Sequence, residues 1–178
     1  MDSLNKKIGM SNIRIVEYKP EHQPYFEKLN RAWIEKYFEM EGRDIGALTR
    51  PDETIIRKGG AILMATYNGV IAGTVALKKV NDITYEFTKM AVDENYRRRG
   101  IAEELCYASF KKAKELGAEV VILFSNSILK PAITMYEKVG FRHIPIKNSE
   151  YKRSDVKMMI TIEETIRFAD EHYNNIKV

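Results

Sequence analysis

Residues 83 to 126 change their apolar period twice, and this constrains the fold more than any other feature of the chain. "ITYEFTKMAV" alternates as a strand, with Tyr85, Phe87, Lys89 and Ala91 expected on one face and Glu86, Thr88, Met90 and Val92 on the other. "YRRRGIA" follows at 96–102. After Gly100, residues Ala102, Leu105 or Cys106, Ser109, Ala113 and Leu116 recur at helical steps, and the stripe ends near Gly117. "AEVVILFSN" is then an unbroken apolar run of the kind that forms a buried parallel strand. Strand, helix and buried strand in succession call for an α/β architecture, and the small residues of the stripe let the helix lie close to a sheet.

The flanking sequence supplies more strands and helices. "IRIVEYKP" alternates around Ile13 and Ile15 and stops at Pro20, which reads as an opening strand. Phe26, Leu29, Trp33, Ile34 and Tyr37 mark an amphipathic helix over 21–41 that the Gly42 region ends. "RPDETIIRKGG" suggests one or two helical turns before a break. "AILMATYNGVIAGTVALKKV" is a hairpin about Asn68-Gly69, a pair tolerant of positive φ. "PAITMYEKVGF" starts a short helix at Pro131 that is capped near Gly140, and "FRHIPI" and "DVKMMITI" read as final strands. The expected order is β-α-α-β-β-β-α-β-α-β-β.

A chain of 178 residues, 44% hydrophobic and 30% charged, suits one domain with one sizeable core, expected over 12–178. Residues 1–11 read as a flexible leader in which Met10 is either an alternative start or simply part of the leader, and 163–178 as a C-terminal helix or tail. No stretch approaches the length of a membrane span or a signal peptide. Cys106 is the sole cysteine, so an internal disulfide is excluded and a reducing cytoplasm is the simplest compartment. His22, His143 and His172 lie far apart without metal-ligand spacing, so no metal is expected. A net charge of +4 fits phosphate ligands and falls short of a nucleic-acid signature.

The glycine-bearing turn at Arg97-x-x-Gly100-x-Ala102 opens onto a helix N-terminus, where unpaired N–H groups and the helix dipole favour anions. Arginine forks add charge and directed donors. The turn therefore reads as a diphosphate cradle, and it lacks the spaced Gly-x-Gly of a dinucleotide fingerprint.

Arg97, Gly100 and Ala102 resemble the acetyl-CoA motif of the GNAT superfamily of N-acetyltransferases, Gln/Arg-x-x-Gly-x-Gly/Ala between a strand and a helix. "YEFTKMAVDENY" resembles that family's central strand, "NSILKPAITMYEKVGF" its second cofactor-contacting segment, and "YKRSDVKMMI" an ending seen in a bacterial small-molecule branch. The resemblance implies a single domain with a mixed, twisted, six- to seven-stranded sheet and helices on both faces. The fourth and fifth strands would splay apart around acetyl-CoA. It further implies that backbone groups of Met90, Ala91 and Val92 pair with the pantetheine arm, and that Arg97, Arg98, Arg99, Gly100, Ile101 and Ala102 hold the pyrophosphate, with Asn126 as a further contact.

By the same resemblance, Tyr136 protonates the departing thiolate and Glu86 matches a general base, acting directly or through a water. A backbone N–H at a bulge near Val92 would receive the oxyanion. Such a base is needed because a lysine-like amine, with a pKa of about 10.4, is almost wholly protonated at pH 7. The acceptor should meet Trp33, Tyr37, Tyr151 and Arg153, with Arg153 placed to grip a carboxylate; Glu35, Glu39, Glu41 and Asp44 are acids able to attract an ammonium group. The implied activity is acetyl transfer from acetyl-CoA to a small amino-acid-like or peptide-like amine in a ternary complex. A non-catalytic acyl-CoA sensor, a protein lysine or N-terminal acetyltransferase and a nucleic-acid binder are the other classes weighed. Dimerisation is common among such proteins, and a homodimer here would use the last strands or the terminal helix.

Overall fold

Alternating strand residues divide the interior into two apolar clusters, one on each face of a single sheet. In the computed structural model, which describes residues 12–148 and 151–167, the strands are β1 (Ile13–Glu17), β2 (Ala61–Tyr67), β3 (Val70–Lys79), β4 (Thr84–Val92), β5 (Val120–Ser125), β6 (Arg142–Ile144) and β7 (Val156–Thr161). The helices are α1 (Gln23–Tyr37), α2 (Gly42–Thr49), α3 (Ile101–Glu115) and α4 (Lys130–Lys138). Leu63, Ala65, Val75 and Leu77 face α3 and α4, where they meet Leu105, Phe110, Tyr136 and Val139. Their neighbours Ile62, Met64 and Ala76 face α1 and α2 and meet Phe26, Ile34 and Leu48. This is the two-sided burial that period-two sequence dictates.

The sheet order is β1-β2-β3-β4-β5-β7-β6. Among the described residues only β4 and β5 pair in parallel, and every other neighbour is antiparallel. The β2–β3 turn has Asn68 at φ 50° and Gly69 at φ 83°, the two left-handed residues that a type I′ hairpin demands. Both the seven strands and the parallel pair agree with the sequence reading. The leader expected at 1–11 lies outside the described residues. So does the C-terminal segment from residue 168, and residues 162–167 are helical.

Two features differ from the sequence reading. The long first helix stops at Tyr37, and Gly42 does not end it but opens α2, a helix the periodicity did not reveal. The Glu41 N–H donates to Asp44 Oδ2 at 3.1 Å, a reciprocal cap that forms because Asp44 is drawn into the interior. The turns expected at 50–60 are a π-helical stretch, Asp52–Ile56.

The second difference is a bulge in β4. Ala76 pairs with Thr88 and Thr74 with Ala91, so Lys89 and Met90 together stand opposite Val75, and Lys89 takes φ 53°. The extra residue reverses the alternation. Tyr85 and Phe87 belong to the α3-side cluster, and beyond the bulge it is Met90 and Val92 that pack there. Glu86 therefore does not share a face with Met90 and Val92, and Lys89 leaves the face of Tyr85 and Phe87.

Candidate active site

β4 and β5 pair only at Thr84↔Val120, Tyr85↔Val121 and Glu86↔Ile122. Beyond Glu86 the strands splay, β4 running on to Val92 and β5 to Ser125. Opposing backbone groups that a continuous sheet would pair are left facing a wedge. A cleft of about 360 Å³ occupies it. It is lined by Met90, Ala91 and Val92 of β4, by Arg97 and by Ala102 of α3, and by Trp33, Tyr37, Tyr151 and Arg153. Glu86, Asn126 and Tyr136 also line it.

Arg98 (φ 58°) and Gly100 (φ 81°) turn the chain into α3, and Gly100 is the N-cap. Left-handed backbone is easy for glycine, and the first-turn N–H groups beyond it have no partner within the helix. α3 sits tightly on the sheet because Gly73 has no side chain. A Cβ there would stand 3.0 Å from Ile101 Cγ2 and 3.1 Å from Leu105 Cδ1. Arg98, Arg99, Gly100 and Ile101 do not line the cleft itself: Ile101 points into the core, and the Arg99 guanidinium stacks over Tyr67 at 4.8 Å and Tyr96 at 5.7 Å.

The Tyr136 ring packs edge-on against Phe87 (5.7 Å) and Phe141 (5.9 Å). Burial pushes its phenol well above the ordinary value, with the neighbouring Cys106 a smaller cause, so it stays protonated at any physiological pH. Glu86 is buried and stands across from Lys78 of β3. Asn126 donates to the Arg153 carbonyl at 2.5 Å and accepts from the Ile128 N–H at 2.9 Å, which ties the end of β5 to the segment preceding β7.

Sequence reasoning missed the most heavily bonded group near the cleft. Asp44, fully buried, accepts from Lys89 Nζ at 3.0 Å and from both Arg153 terminal nitrogens at 2.6 and 2.9 Å. Lys89 Nζ also donates to the Tyr151 hydroxyl at 3.1 Å and sits 4.7 Å from that ring's centre. The Arg153 fork, expected to grip a substrate carboxylate, is thus engaged by one of the protein's own. Asp44 was read as one of four acids able to attract an ammonium group; the ammonium it binds is Lys89. Burial alone would raise its pKa, but the hydrogen bonds from Arg153 and the charge of Lys89 outweigh burial and hold it at about 2. No local pattern marks this cluster, because its members come from α2, the β4 bulge and the segment before β7. Trp33 is half-buried and Tyr37 is 47% exposed, and both line the cleft.

Among the described residues no helix is long and apolar enough to cross a membrane, and no group of three or more His, Cys, Asp or Glu is gathered to hold a metal.

A mixed sheet split at its parallel pair, with a glycine turn and helix N-terminus beside the split, defines a single-domain α/β fold suited to an extended, anion-bearing ligand. The chain belongs to the acetyltransferase (GNAT) family, whose sequence profile matches residues 13–141. It is 28% identical over 102 residues to the uncharacterized N-acetyltransferase YvbK of Bacillus subtilis, across 56% of this chain and 66% of that one. It is 29% identical over 123 residues to human N-acetylaspartate synthetase, across 67% of this chain and 38% of that protein. The chain thus spans less than two thirds of either relative's length. A GNAT-family acetyltransferase from Staphylococcus aureus has the same fold, with TM-score 0.76 at 20% identity over 84% of this chain and 99% of that one. YncA of Salmonella typhimurium, solved with its cofactor acetyl-CoA, superposes with TM-score 0.69 at 15% identity over 86% and 95%.

Proposed function

We propose that this protein transfers the acetyl group of acetyl-CoA to a primary amine of a small amino-acid-like or peptide-like molecule. The splay between β4 and β5, leading to the Gly100 turn of α3, is the observation that carries this reading. Its free strand edge can pair with the amides of an extended pantetheine arm, and the turn offers N–H groups and Arg97 to a pyrophosphate. Acetyl-CoA, when bound, supplies an acetyl group activated as a thioester.

The chain's own residues then divide the work. Backbone groups of Met90, Ala91 and Val92 hold the arm, and an N–H at the bulged end of β4 faces the carbonyl oxygen. Glu86 removes the proton from the acceptor amine, directly or through a water. Tyr136, kept protonated by burial, donates to the departing thiolate. Trp33, Tyr37, Tyr151 and Arg153 shape the acceptor end.

Titration of the purified protein with acetyl-CoA in a thermal melt tests the reading. Ligand at about a hundred times its dissociation constant stabilises by roughly 2.7 kcal/mol, a shift of several degrees. A free-thiol assay over a panel of amines then reads turnover. No melting shift at millimolar acetyl-CoA would overturn the acetyl-CoA reading altogether, and a shift without turnover of any amine would overturn catalysis and favour a sensor.

A further inference from the structure

We infer that the acceptor is a free amino acid whose carboxylate is held by Lys89 together with Arg153. This rests on the acetyl-transfer reading above and adds Lys89 as a specificity-determining residue.

The bulge at Lys89 makes the subsite. Without the extra residue Lys89 would point into the apolar α3-side cluster; with it, the side chain crosses to the α1–α2 face and reaches Asp44. Its side chain is 3% exposed, yet it borders the cleft. An ammonium has three donors. Asp44 at 3.0 Å and the Tyr151 hydroxyl at 3.1 Å take two, and no other described residue takes the third. Arg153 likewise spends two of its five donors on Asp44.

The carboxylates behind these cations have little left to give. Asp44 accepts from Lys89, twice from Arg153 and from the Glu41 N–H, and it does not itself line the cleft. Glu41 lies 3.6 Å from Arg153, beyond hydrogen-bonding range, and accepts from the Lys152 N–H. One buried carboxylate is therefore hydrogen-bonded to two cations that both face the cleft, with Glu41 a longer ion pair to Arg153 alone. Spare charged donors in a desolvated wall are matched best by an anion. The rings of Trp33, Phe38 and Tyr151 surround the guanidinium at 4.8 to 5.9 Å, limiting its movement and its access to water.

The order of charges along β4 fits a zwitterion. Glu86 faces the same side as Lys89 once the bulge has reversed the alternation, and both border the cleft. An amine toward Glu86 and a carboxylate on Lys89 and Arg153 satisfy both ends, whereas a polyamine would bring further positive charge against two cations.

The protein saturated with CoA, which has no acetyl group to transfer, is melted with each of the twenty standard amino acids and with their decarboxylated amines. At least one amino acid should raise the melting temperature where its decarboxylated amine does not. With acetyl-CoA, that amino acid should be acetylated with a kcat/KM about 10- to 100-fold higher than its amine. Lys89→Met, which leaves Asp44 neutralised by Arg153, should lose that preference through KM while the melting shift with CoA persists. No amino acid shifting the CoA-bound protein, equal turnover of the decarboxylated amines, or an unchanged preference in Lys89→Met would each overturn the inference and leave acetyl transfer standing. Absence of any shift with CoA itself would overturn both. The wild-type comparison of acid with amine stands even if the variant fails to fold.

Discussion

Asp44 and Arg153 lie 109 positions apart and meet in a two-pronged ion pair, with 2.6 Å between Nη1 and Oδ2 and 2.9 Å between Nη2 and Oδ1. Lys89 closes the cluster from the β4 bulge. Three segments distant in sequence are thereby fixed to one another beside the cleft.

Removing the shared carboxylate should be costly. Asp44→Ala leaves two largely buried cations without their partner, a loss expected to be about 3–5 kcal/mol, measured by urea unfolding. The acid limb of stability follows from the same group. Its folded pKa lies below the ordinary carboxylate value, from 3.8 down to about 2, so its contribution is complete above pH 4 or so. That contribution is lost as pH falls through about 2. Asp44→Asn should flatten the stability curve in that window, and an unchanged curve would remove Asp44 from the acid transition.

Tyr136→Phe keeps the ring against Phe87 and Phe141 and deletes only the hydroxyl, which bonds to no other described residue. Stability and the acetyl-CoA melting shift should be nearly unchanged, while kcat falls by about 10²- to 10⁴-fold. Full activity in this variant would assign the thiolate's proton to another donor.

Gly73→Val should weaken cofactor binding from a distance. Its side chain would press on Ile101 and Leu105, and on the Ala91 carbonyl, 3.2 Å from the Cβ position. Lifting α3 from the sheet is expected to cost about 1–3 kcal/mol and to displace the Gly100 turn, read as a lower melting temperature and a higher Kd for acetyl-CoA.

The three arginines of the turn should not be equivalent. Arg97 lines the cleft whereas Arg99 is stacked on Tyr67 and Tyr96. Calorimetry should find that Arg97→Ala raises the Kd for acetyl-CoA by about tenfold or more, as expected for loss of a charge-assisted contact, with a smaller effect from Arg99→Ala.

Cys106 should be silent in a free-thiol assay. Burial, and secondarily the charge of Glu103, push its thiol far above the ordinary value, and it is fully enclosed. A thiol reagent should label it only after denaturation. Rapid labelling of the native protein would contradict this packing.

Local signals made much of this fold legible. Asn68-Gly69 could only be a tight turn, Gly100 and Gly117 bracket α3, and the apolar run at β5 demanded cover on both faces. Each rests on backbone freedom or apolar period within a few residues, so tertiary context had little to override. The glycine turn before α3 and the short helix carrying Tyr136 were likewise legible from residues adjacent in sequence.

The α2 helix and the β4 bulge were not legible, and they are linked. Gly42 reads as a helix terminator, and only the burial of Asp44 against Lys89 and Arg153 makes it the start of another helix. Lys89 reads as one more member of an alternating face, and only the mismatch between Ala76↔Thr88 and Thr74↔Ala91 turns it around. The sequence by itself determined the strands, the turns and the anion-seeking helix start, because neighbouring residues carry those preferences. Tertiary structure alone decided which charges face the cleft. Three segments with no local reason to meet are held there by one buried carboxylate, whose cost of desolvation is met only when both cations arrive.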